Sequence, residues 1–401
     1  MDLKPGYKRT EMGVIPEDWK EGDLDTVCSM KSGEGITSAR IDDFSPYPCF
    51  GGNGLRGFTT RYTHDGMFAL IGRQGALCGN VVAAGGRFFA SEHAVVVTAR
   101  QGVDIRWLTY VLGRMNLNRY SESSAQPGLS VSKVLKLSLA FPPVETEQRA
   151  IAGALSDVDA LIGALEQLIA KKRDLKQAAM QQLLAPPSSG QTGQTRLPGF
   201  RGEWEVRPLG ELAEIISGGT PKTGESSYWN GSIKWCTPTD ITGCSGKYLV
   251  ETERTISKDG LASCSAQLLP VGSLLLCSRA TIGEVRIADC EICTNQGFKS
   301  LVCKPSVNNE FLYYKLLTMK SQMVERAIGS TFLEISKKDT AALQLLVPEH
   351  DEQTAIAEVL SDMDAEIASL EQRRDKTRDL KQGMMQELLT GRTRLVSIST
   401  Q

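Results

Sequence analysis

Two stretches of this chain carry apolar residues at alternating steps of four and three. Ile151, Leu155, Val158, Ile162, Leu165 and Ile169 form one series, and Ile356, Leu360, Met363, Ile367 and Leu370 form the other. This spacing places every member on one stripe of an α-helix, with the geometry of a coiled-coil seam. Between them stand mainly Ala, Gln, Glu, Lys, Arg and Leu, all good helix formers, and neither stretch contains proline. The two stretches are copies: residues 147–184 align without gaps onto residues 352–389 at an offset of 205, with 24 of 38 positions identical. A helix of that length reaches roughly 57 Å, further than one globule of ordinary domain size can cover. Two copies in one chain are therefore expected to cover each other, antiparallel about a pseudo-two-fold axis. Lys172 and Arg374 interrupt the seams. Tight packing is expected to end there and the remaining turns to face a further partner. Pro186-Pro187 should stop the first helix, residues 188–195 read as a flexible linker, and Gly391 as a helix cap.

The duplication extends upstream more faintly. Each helix follows a short alternating segment ending in proline, LKLSLAFPP and then LQLLVPE. Before these come Val131-Ser132-Lys133 and Ile335-Ser336-Lys337, each behind a glycine-bearing loop (Pro127-Gly128 and Gly329-Ser330). Earlier still lie helix-like stretches at 104–120 and 308–328, and Trp19/Leu24 matches Trp204/Leu209. The expected fold is α+β: two mixed α/β domains separated by two long helices that form an antiparallel coiled coil. The expected bounds are a first domain at 1–146, a helix at 147–185 and a linker at 186–203. A second domain at 204–351, a helix at 352–390 and a tail at 391–401 complete the chain.

The apolar share of 41% and charged share of 23% fit a globular protein. No apolar run approaches the roughly 18 residues of a membrane span, and the first thirty residues lack a secretory signal, so the protein is expected in the cytosol. Ten scattered cysteines then read as small core residues. Cys290 and Cys293 form the single Cys-x-x-Cys pair, and a zinc site needs a second pair. The net charge of −2 argues against a non-specific nucleic-acid coat. Charge is segregated, however. Across residues 44–120 the bases are Arg56, Arg61, Arg73, Arg87, Arg100, Arg106, Arg114 and Arg119, against Asp65, Glu92 and Asp104.

Catalysis by this chain finds no support in its motifs. The Pro-Pro pairs sit in FPPVE and APPSS, without the Asn or Asp of an adenine-methyltransferase motif. GGTPKTG, at 218–224, lacks the ending of a phosphate-binding loop, and His64, His93 and His350 are far apart in sequence. A protein-binding scaffold of the same build is the competing class. It would show neither steeply salt-dependent DNA binding nor a sequence preference.

The helical repeat, with GYKRTEMGVIPEDW, YPCFGGNGLRGFTTRY, ALIGRQGALCG and FFASEHAVVV in the first half, resembles the specificity subunits of Type I restriction-modification systems. So do LGELAEIISGGTPKTGESSYWNGSIKWCTPTDI and LLLCSRATIGEVRIADCEICTNQGFKSL in the second half, and the resemblance covers nearly the whole chain. It implies a non-catalytic subunit whose two target recognition domains read a bipartite, asymmetric sequence in double-stranded DNA. It implies that the helical pair sets the spacer. It further implies docking of two adenine-methyltransferase subunits, joined by restriction/translocase subunits. S-adenosylmethionine, ATP and Mg would belong to those partners, with no cofactor or metal in this chain.

Base readout needs Arg, Lys, Asn, Gln or short hydroxyls on groove-facing loops. In the first domain the candidates are Asn53, Arg56, Thr59 and Arg61 around GGNGLRG, then Arg73 and Gln74, then His93 beside Glu92. In the second they are Thr220, Lys222, Thr223 and Tyr228 in and after the Gly/Pro loop, then Arg279, Asn295 and Gln296. Each could equally be an exposed loop residue or serve an internal hydrogen bond. Arg279 doubles as a framework candidate, and Trp107, Trp204, Trp229 and Trp235 read as core.

Overall fold

The computed structural model describes residue 3 and residues 5–75, 77–122, 128–185, 196–329 and 333–395. Pro127, Ser330, the Pro186-Pro187 stop, the linker at 188–195 and the end of the tail lie outside the described residues. The chain divides into two compact units, one of Met1–Gln167 with Glu371–Gln401, the other of Leu168–Leu370.

The first unit is built on an antiparallel sheet in the order Cys28–Ser32, Ala94–Ala99, Phe68–Gly72, Val81–Ala84. Helix Ile105–Arg114 buries Trp107, Leu108, Val111 and Leu112 in the core shared with this sheet. Asp104 caps the helix by accepting from the backbone N–H groups of Arg106 and Trp107. Asn116, in the left-handed region at φ 48, separates it from a 3-10 turn at Leu117–Tyr120, so the stretch expected as one helix is two. A second sheet has the order Gly54–Thr59, Tyr47–Gly51, Arg87–Ala90, His64–Asp65, with the middle pair parallel. Strand Ser138–Phe141 pairs with Lys20–Asp23 and leads into the long helix Glu145–Leu183.

The second unit repeats this plan in outline, with one strand more in its main sheet and one fewer in its second. Its main sheet runs Ala213–Ser217, Lys299–Cys303, Leu274–Leu276, Val285–Ala288, extended by Tyr248–Leu249. Its second sheet sets Trp229–Cys236 parallel to Ile292–Thr294 and antiparallel to Arg254–Ile256. Strand Gln344–Val347 pairs with Glu205–Pro208 and leads into the long helix His350–Leu388. The duplication thus embraces whole domains whose sequences match only in patches.

The long helices pair antiparallel within each unit. In the first, Lys381 reaches Asp159 at 2.6 Å and Arg378 reaches Glu166 at 2.5 Å. In the second, Lys172 reaches Glu366 at 2.6 Å and Lys176 reaches Asp364 at 2.5 Å. Ile151, Leu155, Leu165, Ile169, Ile356, Leu360 and Ile367 are buried, while Val158, Ile162, Met363 and Leu370 are half-buried.

One expectation is overturned. Packing does not stop at Lys172 and Arg374, and the last turns help close the domain cores. Ala179, Met180, Leu183 and Leu184, at the end of the first long helix, pack in the core of the second unit with Ile356, Ala357 and Leu360. Met384, Met385, Leu388 and Leu389 do the same in the first unit with Ile151, Ala152 and Leu155. A cation in the seam need not end it: Glu366 on the facing helix receives Lys172, and the neighbouring Asp375 receives Arg374 at 2.9 Å.

The chain segments behind each helix end are tied down in parallel fashion. Arg196 donates two hydrogen bonds to Glu352, 2.7 and 2.6 Å, and Glu352 is 2% exposed. Arg394 donates likewise to Glu147, at 2.5 and 2.8 Å, and also to both oxygens of Asp18 at 2.9 Å. Gly391 has φ +71, as its expected capping role requires, and a Cβ there would meet Pro16 Cδ at 2.6 Å. Among the described residues no group of three or more His, Cys, Asp or Glu could hold a metal, and no helix is long and apolar enough to cross a membrane. Burial pushes the Cys277 thiol up to about 11 and Cys293 to about 12, which keeps both protonated.

Candidate nucleic-acid interface

In the first unit three loops meet at one edge of the sheets because glycines let their backbones touch. A Cβ on Gly72 would lie 2.1 Å from the Gly52 carbonyl oxygen. A Cβ on Gly52 would lie 3.2 Å from the His93 oxygen and 3.3 Å from the Gln74 oxygen. The approach at Gly72 admits only glycine, and a side chain at Gly52 would require its neighbours to give way. The Arg73 N–H donates to the His93 carbonyl at 2.9 Å. The Gln74 Oε1 lies 3.1 Å from His93 Nδ1. The arrangement gathers Gln74 and His93 beside the turn that exposes Asn53. Arg56 is exposed and its chain lies across Gly51. Arg73 is half-buried and spends one donor on Ser32 Oγ at 3.2 Å. Arg61 stands apart from this group, bonded to Glu34 at 3.1 Å and stacked 4.6 Å over the Phe89 ring.

Thr59 does not fit its expected role. It is 2% exposed, inside strand Gly54–Thr59 rather than on a loop. The glycine-rich sequence suggested a loop, but the chain forms a strand here, and the pleat turns Thr59 inward. The arginine-rich composition also overstated the free positive charge, since Arg87 pairs with Asp65 at 2.9 Å and Arg100 with Asp25 at 2.9 Å.

The second unit builds a comparable edge with other side chains. A Cβ on Gly218 would lie 2.1 Å from the Asn295 oxygen, and one on Gly33 in the first unit would lie 2.3 Å from the Ala90 oxygen. The two crossings are equivalent. Thr220 Oγ1 donates to Gln296 Oε1. Asn295 Oδ1 accepts from the Gly297 N–H at 2.8 Å, and Arg279 Nε would lie 3.3 Å from a Cβ on Gly297. The structure thus brings together Thr220, Arg279, Asn295 and Gln296. Lys222 and Thr223 are exposed on the following loop, and Tyr228 is half-buried beside Trp229 and Trp235. Trp107, Trp229 and Trp235 are buried, as expected, and Trp204 is half-buried. Ala280, next to Arg279, holds φ +62, a strained value for a residue with a Cβ.

Sequence reasoning missed the segment 33–36. The Ile36 N–H donates to Glu92 at 3.3 Å, which sets this segment against the Glu92–His93 corner. The shared Ser-Gly of Ser32-Gly33 and Ser217-Gly218 was the available signal. Sequence reasoning also missed Arg254, whose guanidinium stacks 3.6 Å over Trp229. It missed the ties between each helix pair and its own domain as well. Tyr110 donates to Asp159 at 2.7 Å beside Lys381, and Tyr314 donates to Asp364 at 2.7 Å beside Lys176.

Two copies of one domain fold, each gathering polar loops at a glycine-hinged edge and each completed by paired long helices, define a tandem recognition protein. The chain belongs to the Type I restriction modification DNA specificity domain family, whose model matches residues 16–172 and again 201–377. It is 43% identical over 169 residues to the Type I restriction enzyme EcoprrI specificity subunit of Escherichia coli, covering 40% of this chain and 42% of that one. It is 37% identical over 164 residues to the MjaIX specificity subunit of Methanocaldococcus jannaschii, covering 40% and 38%. The chain thus spans about two-fifths of the length of these relatives. A putative MjaX specificity subunit of the same archaeon matches over 97% of both chains at 23% identity. Among solved structures, the crystal structure of a Type-I restriction-modification S subunit from M. genitalium superposes with a TM-score of 0.66 at 17% identity, covering 97% of this chain and 98% of that one. Subunits of this family are non-catalytic, and the cofactors belong to the methyltransferase and restriction subunits.

Proposed function

We propose that this chain reads a bipartite, asymmetric DNA sequence, one block per domain, as the specificity subunit of a Type I restriction-modification complex in the cytosol. It docks two adenine-methyltransferase subunits, which restriction/translocase subunits join. The domains run over 1–146 and 204–351 up to the first turn of each long helix, the helices being Glu145–Leu183 and His350–Leu388 rather than 147–185 and 352–390, with the linker at 186–203 and the tail at 391–401. The observation that carries this reading is one scaffold used twice with different side chains at matching corners. Gln74 and Glu92 stand in the first unit where Arg279 and Gln296 stand in the second. The same backbone with unlike donors and acceptors reads unlike bases. Asn53, Arg56, Arg61, Arg73, His93, Thr220, Lys222, Thr223, Tyr228 and Asn295 supply further base or phosphate contacts, whereas Thr59 supports its strand.

Adenine-methylation mapping in strains with and without this gene tests the reading. Two specified blocks around an unspecified gap should appear, and should vanish on deletion. His93→Ala should relax positions in one block only and Gln296→Ala positions in the other, each by about 1–3 kcal/mol of discrimination. A single block affected by both variants would refute one-block-per-domain reading.

A further inference from the structure

A cleft of about 710 Å³ opens in the first unit beside Gln74, lined among others by Lys31, Ser32, Arg73, Ser130 and Ser132. Its lining is rich in donors. Lys31 is exposed at the end of strand Cys28–Ser32 and has no hydrogen-bond or ion-pair partner among the described residues. Arg73 spends one N–H on Ser32 and keeps the other donors of its planar fork. The hydroxyls of Ser130 and Ser132 lie 3.0 Å apart. Among the described lining residues the one acid, Glu122, is occupied by Lys133 at 2.8 Å. Two cations and paired hydroxyls suit a tetrahedral monoanion with several acceptor oxygens. The matching place in the second unit has a different character. Backbone bridges pair Gln74 with Gly128 in the first unit, and Arg279 with Glu334 in the second. Glu334 brings a carboxylate there, bonded to Lys299 at 3.0 Å.

We infer that this cleft seats one backbone phosphate flanking the first half-site, held by Lys31, Arg73 and the Ser130 and Ser132 hydroxyls. The inference rests on the DNA-reading function proposed above. The second domain lacks this grip, so the salt dependence of binding is unequally divided between the two blocks. A phosphate contact fixes register without reading sequence, so its loss weakens all DNA alike.

The test uses the full chain assembled with its methyltransferase subunits, titrated with a duplex containing the mapped site and with an unrelated duplex. Lys31→Ala should weaken binding to both about three- to tenfold. It should lower the log–log salt slope by about 0.9 and leave the methylated sequence unchanged. A scan of neutral methylphosphonates across the first half-site should find one position that weakens the parent complex and is silent in Lys31→Ala. An unchanged salt slope, a scan with no silenced position, or a methylated sequence altered in the first block would overturn the phosphate assignment. A parent complex without site preference would overturn it together with the reading on which it rests.

Discussion

At the scale of single residues, the telling contrast is between Arg394 and Arg196. Each follows the end of a long helix and each grips a nearly buried glutamate, yet Arg394 alone holds a second acid, Asp18. The hydrogen bonds from Arg394 hold the Asp18 carboxyl below its ordinary value, against a smaller opposing effect of burial. A lowered carboxylate stabilises the fold above its ordinary titration range, and that contribution is lost as pH falls through the lowered value. Acidification from pH 6 to pH 3 should therefore loosen the tail. The amides of Gly391 and Thr393, which donate to Leu388 and Glu387, report this directly by hydrogen exchange corrected for intrinsic rate. Asp18→Asn should lower their protection at pH 6 and flatten part of the pH response. Equal pH profiles in parent and variant would remove Asp18 from the clasp.

Between elements, the seams and the repeat were legible because helix pairing is written locally, in spacing. Asp159 and Asp364, like Lys176 and Lys381, also stood in plain view as polar positions kept between the copies at an offset of 205. Their meaning was hidden because Tyr110 and Tyr314, which complete the clusters, come from other elements. The parallel pairings Tyr47–Gly51 with Arg87–Ala90 and Trp229–Cys236 with Ile292–Thr294 were illegible for the same reason. Their partners are distant in sequence, and no turn chemistry announces them. The candidate loops were found where glycines mark close backbone crossings and missed at Thr59, where a strand alternation was mistaken for a loop. Each long helix has 39 residues. Seven residues inserted after Gln167 and seven more after Gln372, its repeat counterpart, preserve the seam period and add about 10 Å of helix. At about 3.4 Å per base pair the methylated site should gain a spacer of about three base pairs. An unchanged gap in the methylation map would end the spacer role of the helices.

For the whole molecule, the fact that matters is that each compact unit draws on two distant parts of the chain. The residues that close the first core, Met384, Met385, Leu388 and Leu389, have repeat counterparts in Ala179, Met180, Leu183 and Leu184. A fragment of residues 1–197 therefore lacks one set and carries the other. It should dimerise at micromolar concentration, each copy plugging its partner, and with methyltransferase it should mark a palindromic interrupted site. Leu183→Asp combined with Leu184→Asp should abolish the dimer in sedimentation analysis, and a monomeric parent fragment would contradict the exchange. The same plug-and-socket design makes recognition modular in inheritance. A foreign reading domain spliced in between the two helical copies arrives without its own plug and meets the resident one. Any graft that keeps the apolar socket inherits a finished core on arrival, so new target sequences become reachable by recombination within the near-identical helices, with no need to re-evolve stability.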